Sequence, residues 1–273
     1  MSTWTGRTKP INKYRSLAQM SLQQAIAYRR TTVINILLTF IWVFVLYFLW
    51  QAAYSGRPAI RGYSWDEMRT YIVLAFGINA LVGWRVGTQM MGTIRTGEVL
   101  REMVRPLNYC GTQLARAAGF AVVEGILSLA LTLFVGLVLL RFQPPASPLA
   151  AVLFAVSVLL GFLTKALIVF LVSLITFWTL SGLGVMWSQD AVIQILSGTI
   201  VPLALMPGWL RIVAEVLPMR GIVSTPVTLY LGKAEGGEIA LLLGLQVLWL
   251  ALLWVFANLA WRKAFTVVDI QGG

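Results

Sequence analysis

Three ionisable residues fall within stretches otherwise suited to lipid: Glu124, Lys165 and, near the end of its stretch, Arg85. A charge at the centre of a bilayer costs about 2.5 to 3.5 kcal/mol on insertion scales, so such groups are paired or face an internal cavity. Glu124 and Lys165 lie about midway along consecutive apolar stretches joined by the proline-rich RFQPPASP. Spans joined by a short turn pack as an antiparallel pair, which brings both groups to similar depth. The expected arrangement is a buried intramembrane ion pair, Glu124 with Lys165, which either locks the two helices together or lies on a cargo path.

Other chemistry is excluded by what the chain lacks. There is no histidine, and Cys110 is the only cysteine, so an internal disulfide, a Cys/His metal site and a histidine proton relay are ruled out. No Ser/Lys pair and no paired intramembrane carboxylates stand out. The phosphate-binding pattern G-x-x-x-x-G-K followed by Ser or Thr is missing; the only Gly-Lys pair, Gly232 with Lys233, precedes Ala234. The chain is expected to carry no catalytic residue, no metal and no cofactor, and cannot hydrolyse ATP unaided.

The elements that hold these charges are membrane spans. Hydrophobic residues make up 59% of the 273 residues and charged ones 11%, with a mean hydropathy of +0.82, beyond what a soluble core requires. A crossing takes about 20 helical residues. On that count spans are expected at Thr31 to Trp50, Thr70 to Met91, Cys110 to Leu140, Leu149 to Leu180, Asp190 to Leu205 and Ile239 to Trp261. The expected fold is an all-α integral membrane protein of six transmembrane helices. Residues 1–30 form a cytoplasmic amphipathic segment, 31–261 the six-span domain and 262–273 a cytoplasmic tail. The first apolar run is followed by no small-residue cleavage pattern, so it is expected to stay as an anchor.

Met206 to Gly232 is apolar but interrupted by Pro207, Pro218 and Pro226 and charged by Arg211, Glu215 and Arg220. It reads either as a broken re-entrant hairpin of two short helices between spans five and six, which the proline spacing favours, or as an amphipathic surface loop. Lysine and arginine cluster in the N-terminal arm, between spans two and three, and after the last span, which makes that side cytoplasmic. The same asymmetry accounts for most of the formal net charge of +11, so nucleic-acid binding gains no support.

Two cytoplasmic segments are amphipathic. INKYRSLAQMSLQQAIAYRR places Ile11, Tyr14, Ala18, Leu22 and Ala25 on one helical stripe, expected to lie on the membrane interface and to anchor to anionic lipid or dock a partner. GEVLREMVRPLN, Gly97 to Asn108, puts Val99, Leu100, Met103, Val104 and Leu107 on one face, with Glu98 and Glu102 each three residues before an arginine, Arg101 and Arg105. Pro106 ends that helix.

These motifs in their order along the chain, with IVPLALMPGWL at 200–210, LPMRGIVSTPVTLYLG at 217–232 and the closing VVDIQGG, resemble the membrane subunit of an ATP-binding cassette (ABC) exporter of the type-2 permease family. They also resemble a bacterial subgroup usually encoded as two related permeases with one ATPase. The resemblance implies that the helix between spans two and three is a coupling helix fitting a cleft on the ATPase. Glu98, Arg101, Glu102 and Arg105 would supply its polar contacts, and Val99 and Met103 its packing. It also implies half of a translocation path, a second permease, related or identical, and two copies of a cytoplasmic ATPase that binds ATP and Mg. The location implied is the bacterial inner membrane, multi-pass, with both termini cytoplasmic. An ATPase-independent secondary transporter or channel is the alternative, for which Glu124, Lys165 and Arg85 are a thin set of coupling charges. Lipid, drug-like natural product and hydrophobic peptide remain open as cargo.

The charge asymmetry is tested by labelling. A cysteine placed at Ser55 is expected to react from outside the cell, and one at Thr96 only after permeabilisation; the reverse pattern overturns the orientation.

Overall fold

A computed structural model describes residues 10–27, 29–103, 107–179 and 182–271. The chain opens with α1 (Pro10–Ala27) and α2 (Arg29–Ala53). A two-stranded hairpin, β1 (Ala59–Ile60) and β2 (Tyr63–Ser64), pairs Ala59 with Ser64 and Ile60 with Tyr63 around a turn in which Arg61 and Gly62 both have positive φ. Ser64 then caps α3 (Trp65–Asn79) through a reciprocal bond pair with Glu67, satisfying two end donors of the helix. After α3 come α4 (Trp84–Arg95), α5 (Val99–Met103), α6 (Tyr109–Phe120) and α7 (Ile126–Val135). A π-helical segment, Ala121–Gly125, joins α6 to α7, and a second, Gly136–Leu140, follows. α8 (Pro148–Leu174) starts at a Ser147 cap with proline in its first turn. The chain continues through α9 (Gly182–Leu196), α10 (Gly208–Val216), α11 (Ser224–Tyr230) and α12 (Gly237–Gln271).

Among the described residues, five helical segments are long and apolar enough to cross a membrane: Thr32–Ala53, Trp65–Arg95, Tyr109–Val138, Pro148–Phe177 and Gly237–Ala264. They match five of the six expected spans. The expected span from Asp190 to Leu205 is not one helix. Its helical part, α9, begins earlier and has 15 residues, about 22 Å, and the chain then turns at Gly198, where φ is +85°, into a short 3-10 turn at Leu203–Leu205. α12 continues through Gln271, so residues 262–271 of the expected tail are helical.

The core lies where α3 and α8 meet α11. Met68, Tyr71, Leu74, Leu167 and Val227 are all essentially inaccessible. The three prolines of the expected hairpin divide it as their missing N–H and fixed φ require. Pro207 stands in extended geometry before α10, Pro218 opens a 3-10 turn, and Pro226 sits in the first turn of α11. α11 is almost wholly buried, while α10 exposes Trp209, Ile212, Val213 and Val216.

Of the expected α1 stripe, Ala25 is buried and Tyr14, Ala18 and Leu22 are only partly so, and the face covered by protein also runs through Leu17 and Ser21, which lay outside that stripe. The helix packs lengthwise on α6, from the Tyr14 hydroxyl, which accepts from the Asn108 amide at 3.2 Å, to Gly119. A Cβ at Gly119 would stand 2.2 Å from the Ala18 carbonyl oxygen and 2.8 Å from Ser21 Cβ. Gly119→Val is therefore expected to push α1 off α6, at a cost of about 1 to 3 kcal/mol for an overpacked contact. Trypsin cleavage after Lys13 and Arg15 in mild detergent should then run much faster than in the parent protein.

Candidate functional site

The second apolar segment is broken inside its length. α3 stops at Asn79, residues 80–83 are irregular, and α4 starts after Gly83. A broken helix exposes the last carbonyls of one half and the first N–H groups of the other, with partial negative and positive charge respectively. At membrane depth only protein or trapped water can answer them.

Each end meets a charge of the opposite sign. Lys165, from α8, donates to the Asn79 carbonyl oxygen at 2.6 Å and to its Oδ1 at 2.8 Å. Glu124, from the π segment, faces the start of α4: its Oε2 lies 3.7 Å from where a Cβ of Gly83 would be. Its Oε1 accepts from Arg85 Nε at 2.7 Å and from the Thr32 hydroxyl at 3.1 Å. Both charged residues are nearly inaccessible, Lys165 at 4% and Glu124 at 8%.

The expected Glu124–Lys165 ion pair does not form. The two residues do share one region of the fold, but the helix break between them gives each its own partner. Glu124 and Lys165 each lie about midway along their apolar segments, Tyr109–Val138 and Pro148–Phe177, and Thr32, at the start of the first segment, bonds to Glu124.

Local geometry explains why the break is tolerated. The π segment holds one residue more per turn than an α-helix and re-aims Glu124 toward α4. The next residue, Gly125, lets the irregular backbone press on it, since a Cβ there would lie 2.9 Å from both Cα and O of Leu81. Arg85 and Asn79 were the partners hardest to find in the sequence. Arg85 was visible as an intramembrane charge, whereas Asn79 carried no signal.

These groups line a cleft of about 640 Å³ between α2 and α9, with α3, α4, α7 and α8 behind it, a volume that suits a drug-sized or lipid-like molecule. Polar residues at the level of the break are Thr32, Asn79, Glu124, Lys165 and Asp190, with Asn35, Thr39 and Gln194 further along α2 and α9. Apolar groups extend from there toward the far ends of α2 and α9, with Trp42, Phe76, Ile195 and Ile200. On the other side of the polar belt Trp84 and Trp187 meet edge to face, with ring centroids 5.4 Å apart.

The second candidate site is the short helix α5. Its expected docking residues divide into two sets. Val99 is buried, at 2%, and Glu102 turns inward, bonded by both guanidinium ends of Arg116 on α6 and by Gln113 at 3.5 Å. Val99 and Glu102 therefore face the chain's own bundle rather than outward: a five-residue helix needs an anchored side, and α6 supplies it. Glu98, Leu100 and Arg101 are exposed. Leu100, expected on the apolar face, is half exposed and joins the outward set. Val104, Arg105 and Pro106, and the side chain of Met103, lie outside the described residues.

The ABC-2 family transporter protein model matches residues 40–272, and the chain belongs to that family. No curated protein matches it. Membership makes the chain a membrane transport component of an ABC-2 system, working with an ATP-binding subunit.

The partner exchange at Glu124 is measurable. Glu124→Gln leaves Arg85 without its carboxylate and is expected to cost about 3 kcal/mol. Adding Arg85→Met should recover much of that loss, while adding Lys165→Met should deepen it, because Lys165 serves Asn79. Thermal unfolding in detergent of the parent, the three single variants and the two double variants, read as two double-mutant cycles, checks this. A stronger coupling of position 124 to 165 than to 85 would contradict the geometry.

Proposed function

We propose that this ABC-2 family chain is the permease subunit of an ABC exporter, forming half of a translocation path that a second permease, related or identical, completes. Two copies of a separate cytoplasmic ATPase hold ATP and Mg and drive it. In this reading both termini are cytoplasmic, in a bacterial inner membrane. α9 with the turn beyond it supplies a sixth crossing, and α10 and α11 form a re-entrant hairpin on the outer side. The cargo is amphipathic or hydrophobic and occupies the cleft between α2 and α9.

The observation that carries this reading is the construction of α5. A five-residue helix is too short to be stable by itself, yet Val99 and the Glu102–Arg116 pair hold it against the bundle. The anchored helix presents one apolar residue, Leu100, between an acid, Glu98, and a base, Arg101. A rigid mixed surface of that kind fits docking on a folded partner and has no use in a free loop. The alternative of a secondary transporter needs intramembrane charges free to exchange an ion. Glu124 and Lys165 are both engaged in holding the helix break.

Reversing the outward charges tests the docking. Glu98→Arg with Arg101→Glu is expected to leave membrane insertion intact and to lower ATPase retention on copurification by tenfold or more. Like-charge juxtaposition at an interface costs several kcal/mol, whereas a merely solvated helix would lose less than about 1 kcal/mol. Unchanged retention would reduce α5 to a connector.

A further inference from the structure

We infer that the cleft binds a zwitterionic amphiphile drawn from the inner leaflet, its charged head on the polar belt at the helix break and its tail along α2 and α9. The inference rests on the exporter reading and adds the class of cargo.

The order of the lining supports the orientation. The polar belt stands level with Thr32, where the first apolar segment begins, and the apolar wall continues from there past Trp42, ten residues further into that segment. With the N-terminus cytoplasmic, the belt lies on the cytoplasmic side of the apolar wall, so the head of a bound amphiphile points toward the inner leaflet's surface and its tail lies along the wall. An amphiphile of the inner leaflet already has that alignment and can enter sideways without turning over.

Two opposite charges in the belt define the head group. Lys165 uses two of its three N–H donors on Asn79 and makes no ion pair among the described residues. Its third donor is left for an acidic oxygen. Asp190, half-buried on α9, accepts from Gln194 at 2.5 Å and also has no ion pair among the described residues. Lys165 and Asp190 stand on different helices, both line the cleft, and no direct bond joins them. A head carrying one negative and one positive group answers both; a purely anionic head leaves Asp190 facing like charge, and a purely cationic head does the same to Lys165. Glu124 contributes no further demand because Arg85 compensates it. Ser128, buried at 4%, also lines the cleft, and its hydroxyl has no hydrogen-bond partner among the described residues. It lies four residues beyond Glu124, about one helical turn further from the belt. That is the level of the head–tail junction, where an ester or amide carbonyl would accept its proton.

The test uses the full-length chain purified in a maltoside detergent, whose head is uncharged, with binding counted by native mass spectrometry. The probe is palmitoyl lysophosphatidylcholine, compared with palmitoyl lysophosphatidylglycerol, which is anionic, and with phosphocholine, which lacks the tail. The parent protein is expected to retain one lysophosphatidylcholine, to prefer it to the anionic lipid by about tenfold, and to retain no phosphocholine at the same concentration. Asp190→Asn should lower lysophosphatidylcholine retention about tenfold, the worth of one charge-assisted contact, and raise retention of the anionic lipid, which no longer meets like charge there. Lys165→Met should weaken both. Asp190→Asn keeps an oxygen for Gln194 and so remains informative if loss of the Asn79 contact unfolds the lysine variant. Equal retention of both lipids by the parent protein, equal retention of lysophosphatidylcholine by parent and Asp190→Asn, or binding of phosphocholine without its tail would each overturn the inference. ATPase copurification through α5 is read separately, so its persistence beside a failed lipid test removes the cargo class and leaves the exporter reading standing.

Discussion

The fold depends on how it answers one interrupted helix. Ending α3 at Asn79 and restarting at Gly83 frees backbone groups that lipid cannot solvate, and the two end dipoles oppose each other across residues 80–83. The ammonium of Lys165 at the first end and the carboxylate of Glu124 at the second neutralise both. Each contact alone is worth little, on the order of 1 kcal/mol for a charge at a helix terminus. The cost of losing either is larger, because it leaves a buried charge and a buried backbone group unanswered together. That asymmetry holds α8, the π segment and both halves of the broken helix in one arrangement.

The cleft follows from the same break. A continuous second span would carry its side chains past this level in regular helical order. Here the chain steps aside over Gly125, and the freed volume opens between α2 and α9. The polar groups that stabilise the break therefore become part of the cleft wall. This is why an apolar chamber has charges at one end only, and why those charges are already partly committed to backbone.

Much of this was legible in the sequence, at differing levels. The long apolar runs located five helical crossings, since twenty residues without charge have few other uses. Pro207, Pro218 and Pro226 marked where short helices begin. Glu124 and Lys165 stood out as charges in apolar runs, and both are buried in one region of the fold. Their partners were not legible, because intramembrane charges were matched with each other by sign, while the structure matches one of them with backbone. Nothing in INALVG announces a break: it holds no proline, and its one glycine is ordinary in a membrane helix. For α5 the period of 3.6 put Val99 and Leu100 on one face, but five residues are little more than a turn. Which side is buried was set by Arg116 on α6, more than ten residues away. For α1 the period of 3.6 placed Ala25 on the covered face but missed Leu17 and Ser21, because Gly119, the residue that admits that face, lies on another helix.

The two candidate sites belong to one frame. α4 leads from Arg85 at the break down to α5, and α6 returns from Arg116 up to Glu124. The Arg85–Glu124 pair closes the loop at its upper end and the Glu102–Arg116 pair closes it at the lower. A closed frame of this kind resists shear: displacing α5 without moving the break would require separating one of two mostly buried ion pairs, each costing several kcal/mol to open. A partner that moves α5 therefore moves α4 and α6 with it, and the ends of those helices carry the residues that shape the cleft. In the exporter reading, the work of ATP closure enters at Glu98, Leu100 and Arg101 and reaches the cargo through two charge pairs. The aromatic groups below the belt, Trp84 on the moving α4 and Trp187 on α9, would be the first contacts to part.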